Sequence, residues 1–199
     1  MSIDAKTMAF YDREASTYIP AIEPDYPLEK VKGFAARLPA AGAVLDLGCG
    51  GGWASAAFRE LGFDVTAMDA SSAMISAVEA LGGIKTICAG FEEIEAVDSF
   101  DGIWASFCLQ HTARKNLPEV LRRIARALRK SGWLYIGIHM GDETLRDNLD
   151  RLYEHYQEDE LRNLLADCGI KVISVTHGES TGYDGRPIEH MEIEARKIA

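Results

Sequence analysis

Residues 44–53, Val-Leu-Asp-Leu-Gly-Cys-Gly-Gly-Gly-Trp, constrain the fold of this chain more than any other stretch. Val44, Leu45 and Leu47 make a short apolar run interrupted by one acid, Asp46. The run breaks into Gly48, Gly50, Gly51 and Gly52, and a helical stretch follows from Trp53 to Leu61. Strand, glycine turn and helix in that order bring a ligand against backbone N–H groups at a helix N-terminus. Glycine suits the turn because a Cβ would oppose positive φ and hold the ligand away.

The ligand class can be narrowed. A dinucleotide fingerprint carries a third glycine where this chain has Trp53. Asp46 would repel a nearby pyrophosphate and suits a ligand bearing a positive group. Asp69 closes the next apolar run, twenty-one residues after Gly48. An acid at that spacing accepts the ribose hydroxyls of an adenosine moiety. The competing reading is an Asp that caps the helix beginning near Ser71. Met74, one turn into that helix, either lies against an adenine face or fills the core.

Strand and helix patterns alternate from Ala43 onward. Strands are predicted at Ala43–Leu47, Asp64–Met68, Lys85–Cys88, Gly102–Ser106 and Trp133–His139, then at Lys171–Thr176 and Glu189–Arg196. Pro118–Arg129 places Leu121, Ile124, Ala125 and Leu128 on one helical face, with Ser131-Gly132 as its stop. Asp159–Cys168 repeats the pattern and stops at Gly169. Such alternation predicts a doubly wound, mostly parallel α/β sheet. Asp184-Gly185 marks a turn, so the last two strands should form an antiparallel hairpin. Upstream, Ala5–Tyr18 reads as an amphipathic helix, Pro20, Pro24 and Pro27 should end regular structure, and a second helix is expected near Leu28–Leu38. This segment either covers the ligand crevice or simply packs.

Composition removes several classes. The 199 residues suit one domain, with 1–40 as a helical cap on a core at 41–199. Net charge is −10, and Arg122, Arg123, Arg126, Arg129 and Lys130 read as a solvated helix face, which argues against nucleic-acid binding. No apolar run approaches the ~20 residues of a membrane span. The start of the chain lacks the apolar core of a signal peptide, so a cytoplasmic location is expected. Cys49, Cys88, Cys108 and Cys168 are too scattered for a metal site and read as free, mostly buried thiols.

Four stretches, in order, resemble motifs of the class I S-adenosylmethionine-dependent methyltransferases, particularly small-molecule enzymes similar to those of quinone biosynthesis. They are Asp46-Leu-Gly48-Cys49-Gly50, the strand-end Asp69, Ser99-Phe100-Asp101-Gly102-Ile103-Trp104, and Leu128-Arg-Lys-Ser-Gly132-Trp-Leu. The resemblance covers about residues 40 to 180. It implies a seven-stranded Rossmann-like sheet, S-adenosylmethionine as cofactor and no metal. It also implies cofactor contacts at Asp46, Gly48, Cys49, Gly50, Asp69, Ala70, Met74 and Ser106. In the loop after the third strand Phe91 would pack on the adenine and Glu92 would face its amino group. Asp101 would order a strand start. Phe10-Tyr11-Asp12 with Tyr18 resembles a lid helix, which makes Tyr11 and Tyr18 substrate or lid residues, joined by His139 at the end of the fifth strand.

The activity so implied is transfer of a methyl group to a small-molecule acceptor by in-line displacement. Such a reaction needs little beyond positioning in a dry pocket, and a base only where the nucleophile must lose a proton. His111, in the Leu109-Gln110-His111 run past the fourth strand, and His139, at the end of the fifth, are the candidate bases, and His111 is expected to titrate near ~6.5 if its ring is unperturbed. Two alternatives stand beside this reading: an NAD(P)-dependent oxidoreductase, and a cofactor-binding protein without catalysis. The acceptor and the oligomeric state are not legible.

Overall fold

The computed structural model describes residues 4–22 and 28–198. Its strands are β1 (Ala43–Leu47), β2 (Asp64–Asp69), β3 (Lys85–Cys88), β4 (Phe100–Ser106), β5 (Leu128–His139), β6 (Thr144–Arg146), β7 (Leu152–Glu154), β8 (Ile170–Thr181) and β9 (Pro187–Lys197). Its α-helices are α1 (Ala5–Ile22), α2 (Leu28–Ala35), α3 (Trp53–Glu60), α4 (Ser72–Leu81), α5 (Leu117–Ala127) and α6 (Glu158–Asp167). Among the described residues, seven strands form one sheet in the order β3-β2-β1-β4-β5-β9-β8. The β1–β5 pairings are parallel, and β9 runs antiparallel to both β5 and β8. The expected architecture is therefore present, with its C-terminal hairpin.

Alternate residues of the central strands feed two apolar layers. Leu45, Leu47, Ile103, Ala105, Ile136 and Ile138 pack with Leu121 and Ile124 of α5 on one face. Val44, Val65, Trp104 and Tyr135 pack with Phe34 of α2 and Phe58 of α3 on the other. Trp104 stacks flat on Tyr135 at 3.7 Å between ring centroids. Strand order reverses between β1 and β4, which opens a crevice beyond their carboxyl ends.

Several boundaries differ from expectation. α1 runs through Pro20 to Ile22. Proline removes one N–H from a helix but its fixed φ is helical, and burial of Phe10 and Ala15 with an Asp4 cap on the Thr7 N–H holds the helix together. Pro24 and Pro27 lie outside the described residues. α2 ends at Ala35 rather than near Leu38, and α5 ends at Ala127. Leu128 already pairs with Phe100, so the stretch through Ser131-Gly132 is a bulge in β5 and not a helix stop. Asp101 does order a strand start: its Oδ2 accepts the Ala43 N–H at 2.8 Å and pairs with Arg129 at 2.5 Å. β8 and β9 exceed the expected strands because their polar ends pair in a long edge hairpin. The β6–β7 hairpin was not anticipated. Cys49 and Cys108 are buried and Cys168 half-buried, while Cys88 is exposed because β3 is an edge strand. Among the described residues no helix is long and apolar enough to cross a membrane.

Candidate functional site

The glycine turn is folded onto the end of β2. Gly48 and Cys49 both donate their N–H to the Met68 carbonyl, at 2.7 and 3.1 Å, and Gly52 donates to Cys49 at 3.0 Å. Gly50 donates to Asp69 Oδ2 at 3.0 Å. Amides expected to face a ligand are thus engaged inside the turn. Gly48 sits at φ 65°, and a Cβ there would lie 2.3 Å from that of Cys108, so only glycine fits.

The group the turn presents is the Asp69 carboxylate. Oδ1 accepts the Ser71 N–H at 2.9 Å, so each oxygen holds one backbone amide and keeps a lone pair for another donor. Burial raises its pKa, while these amide bonds favour the ionised form. Ser71 caps α4 by accepting the Met74 N–H at 3.3 Å. The capping and ligand-holding readings of Asp69 are therefore compatible.

A cavity of about 980 Å³ lies over the crevice. Its first half is lined by Gly48, Cys49, Gly50, Asp69, Ala70, Met74, Phe91 and Ser106, and its second by Tyr11, Tyr18, His111 and His139. Two expected cofactor residues are not on its wall. Glu92 turns back toward Gly90, whose Cβ would meet its Oε2 at 2.6 Å. Asp46 is 3% exposed and accepts a 2.6 Å bond from Ser55 in α3. Strand alternation explains this, since Asp46 shares the α3-facing side of β1 with Val44.

Burial pushes the Asp46 carboxyl up to about 7. The folded state then holds a proton that the unfolded state releases between neutral pH and the ordinary carboxylate range. This group's contribution to stability consequently rises as pH falls through that window. Asp46→Asn, which retains an acceptor for Ser55, should be more stable than the native protein at pH 9. Its advantage should shrink by about 2–3 kcal/mol on going to pH 5. Urea titrations at the two pH values measure this, and an advantage independent of pH would contradict it.

The second half of the cavity is built around His111. Its Nδ1 lies 2.8 Å from the Leu152 carbonyl, which can only accept, so Nδ1 carries the proton. Nε2 is left to accept the Tyr11 hydroxyl at 3.0 Å. Burial lowers His111 to about 4 and His139 to about 3, so both rings are neutral at pH 7, and the expected titration near 6.5 is not borne out for His111. Arg151, a residue missed in the sequence, pairs with Asp147 at 2.7 Å, with side-chain exposures of only 3% and 0%. Its guanidinium lies 4.8 Å from the Phe10 ring centroid. Tyr153, His155 and Tyr183 were missed as well. The signal available was the density of titratable and aromatic side chains in Arg151-Leu-Tyr-Glu-His-Tyr156.

α1 closes the cavity from above. Ser71 donates to Asp12 at 2.6 Å, Thr7 accepts the Leu152 N–H at 2.8 Å, and Arg146 pairs with Asp4 at 3.0 Å. Arg146 holds Asp4 down to about 2. Ile19 covers Gly51 so closely that a Cβ there would lie 2.7 Å from it.

Residues 45–136 match the family model for a methyltransferase domain. The Bacillus subtilis protein named as methyltransferase YqeM is 28% identical over 152 residues, covering 73% of this chain and 62% of that protein. A ubiquinone biosynthesis O-methyltransferase from Xanthomonas oryzae is 33% identical over 110 residues, covering 51% of this chain and 45% of its own length. The chain thus spans about half to three fifths of the length of these curated relatives. Among solved structures, the Burkholderia thailandensis 1,6-didemethyltoxoflavin-N1-methyltransferase with bound 1,6-didemethyltoxoflavin and S-adenosylhomocysteine superposes with a TM-score of 0.70 at 23% identity. That match covers 93% of this chain and 87% of the other. A methyltransferase from Methanosarcina mazei gives 0.74 at 21% identity, covering 87% and 98%.

Proposed function

We propose that this chain is a class I S-adenosylmethionine-dependent methyltransferase and that it transfers a methyl group to a small-molecule acceptor, a reading supported by the methyltransferase-domain match over residues 45–136 and by the shared fold. The observation that carries the reading is the Asp69 carboxylate, anchored by two backbone amides and facing the cavity beside a glycine turn. S-adenosylmethionine supplies an electrophilic methyl group on a sulfonium. The residues fit it. Asp69 would take the ribose hydroxyls, Met74 and Phe91 would wall the adenine, and Gly48, Cys49, Gly50, Ala70 and Ser106 would line the rest. A dinucleotide fits less well, because the Gly48, Cys49 and Gly50 amides that would cradle a pyrophosphate are engaged inside the turn.

The chain's own contribution is positioning and exclusion of water. In this proposal residues 41–199 are the core and 1–40 the cap, and α1 seals the chamber through Asp12, Thr7 and Ile19. Tyr11 and Tyr18, from the cap, face the acceptor's half. His111 and Tyr11 offer one hydrogen-bonding unit to the nucleophile, with the imidazole fixed in orientation by Leu152. Free thiols accord with a reducing cytoplasm. A turnover assay over a panel of small acceptors, reading S-adenosylhomocysteine release, tests the reading. Cofactor binding without release on any acceptor would favour a binding protein lacking catalysis.

His111 gives a pH prediction. A neutral ring with its pKa near 4 should leave the rate flat from pH 6 to 8, with loss only as pH falls toward 4. A rate that climbs through pH 6.5 would instead assign the step to a group with an unperturbed histidine pKa. His111→Asn should lower turnover by roughly 10²-fold if the ring takes the acceptor's proton, and by much less if it only orients the acceptor.

A further inference from the structure

We propose that the acceptor is an uncharged planar aromatic molecule, and that the chamber discriminates against acceptors carrying a carboxylate or phosphate. This inference rests on the methyltransferase reading and concerns the half of the cavity that faces away from Asp69.

The walls of that half are flat rings. Tyr18 of the cap meets Tyr183 of the β8–β9 turn at 4.8 Å between centroids. Opposite, His139 lies nearly parallel to Tyr153 at 5.1 Å and to His155 at 5.7 Å. Surfaces of this kind gain from offset stacking and edge contacts with another ring.

The charges exclude an anion. Among the described residues the arginines on the cavity wall are Arg151 and Arg186, and no lysine is there. Arg151 is paired with Asp147, and Arg186 with Asp184. His111 and His139 are uncharged. Glu143 and Glu189, both exposed, add negative charge at the rim. A carboxylate entering the chamber would lose hydration without gaining a free counter-ion. A ring bearing only N–H or O–H groups meets the Tyr11 hydroxyl instead.

Calorimetry on the full chain saturated with S-adenosylhomocysteine tests this with two matched pairs: 4-hydroxyquinoline against 4-hydroxyquinoline-2-carboxylate, and catechol against 3,4-dihydroxybenzoate. The uncharged member of each pair should bind at least about tenfold more tightly, a difference of about 1.4 kcal/mol. Asp184→Asn keeps an acceptor for the Arg186 N–H but frees the guanidinium, and should narrow each gap by roughly threefold. Tyr183→Ala should weaken both uncharged members. Equal or tighter binding of the carboxylates, no binding by either uncharged member, or a gap unmoved in Asp184→Asn overturns the proposal. Failure of S-adenosylhomocysteine itself to bind would instead overturn the methyltransferase reading.

Discussion

Replacing Arg151 with methionine should cost on the order of 3–5 kcal/mol of folding stability. The guanidinium is 3% exposed and its partner Asp147 wholly buried, so the substitution strands a carboxylate in the interior. Asp147 keeps the Leu149 and Arg151 backbone amides, at 2.9 and 2.8 Å, which limits the loss. The contacts of the cation with the Phe10, Tyr153 and Tyr183 rings vanish too, and these tie the cap to both hairpins. Removing both charges in Arg151→Met with Asp147→Asn should recover much of the loss, since an absent pair leaves no buried charge. Urea unfolding of the three proteins measures this. A single variant within 1 kcal/mol of the native protein, or a double variant no better than the single, would show that the pair does not govern this region.

Asp69→Ala should weaken S-adenosylhomocysteine binding by on the order of 1.5–3 kcal/mol, or roughly 10- to 150-fold. Asp69 is the carboxylate at the mouth of the glycine turn, and its oxygens keep lone pairs directed past the Gly50 and Ser71 amides. The fold should persist with a loss near 1 kcal/mol, because those amides border a cavity that water can enter. Thermal unfolding separates the two effects. Unchanged affinity in a folded variant would remove Asp69 from the site. A collapse of the fold would mean that the turn, and not the ligand, depends on it.

The parallel core was legible because its strands are buried on both faces and read as short apolar runs beside glycine or charged turns, as at Val44–Leu47 and Ile103–Ala105. Helix positions followed from the 3.6-residue period, and their ends were less legible. Leu128 satisfies the helical face of α5 yet starts β5, because pairing with Phe100 outweighs one more helical turn. The half of the cavity proposed for the cofactor contains Gly48, Gly50 and Asp69, which their spacing brings together in the sequence. Asp46 and Glu92, expected beside them, do not line it, because sequence spacing does not say to which side of a strand or loop a side chain turns. The acceptor half was largely hidden. Arg151 precedes, and Tyr153 lies within, a three-residue strand with no periodicity, and the match of His111 to Tyr11 joins residues a hundred positions apart.

The central claim, that this cavity holds S-adenosylmethionine, is tested most directly by isothermal calorimetry of the purified chain with S-adenosylhomocysteine and, separately, with NAD. The account predicts saturable binding of one S-adenosylhomocysteine per chain and no measurable heat of binding with NAD. Binding of NAD in the absence of any S-adenosylhomocysteine binding would contradict it.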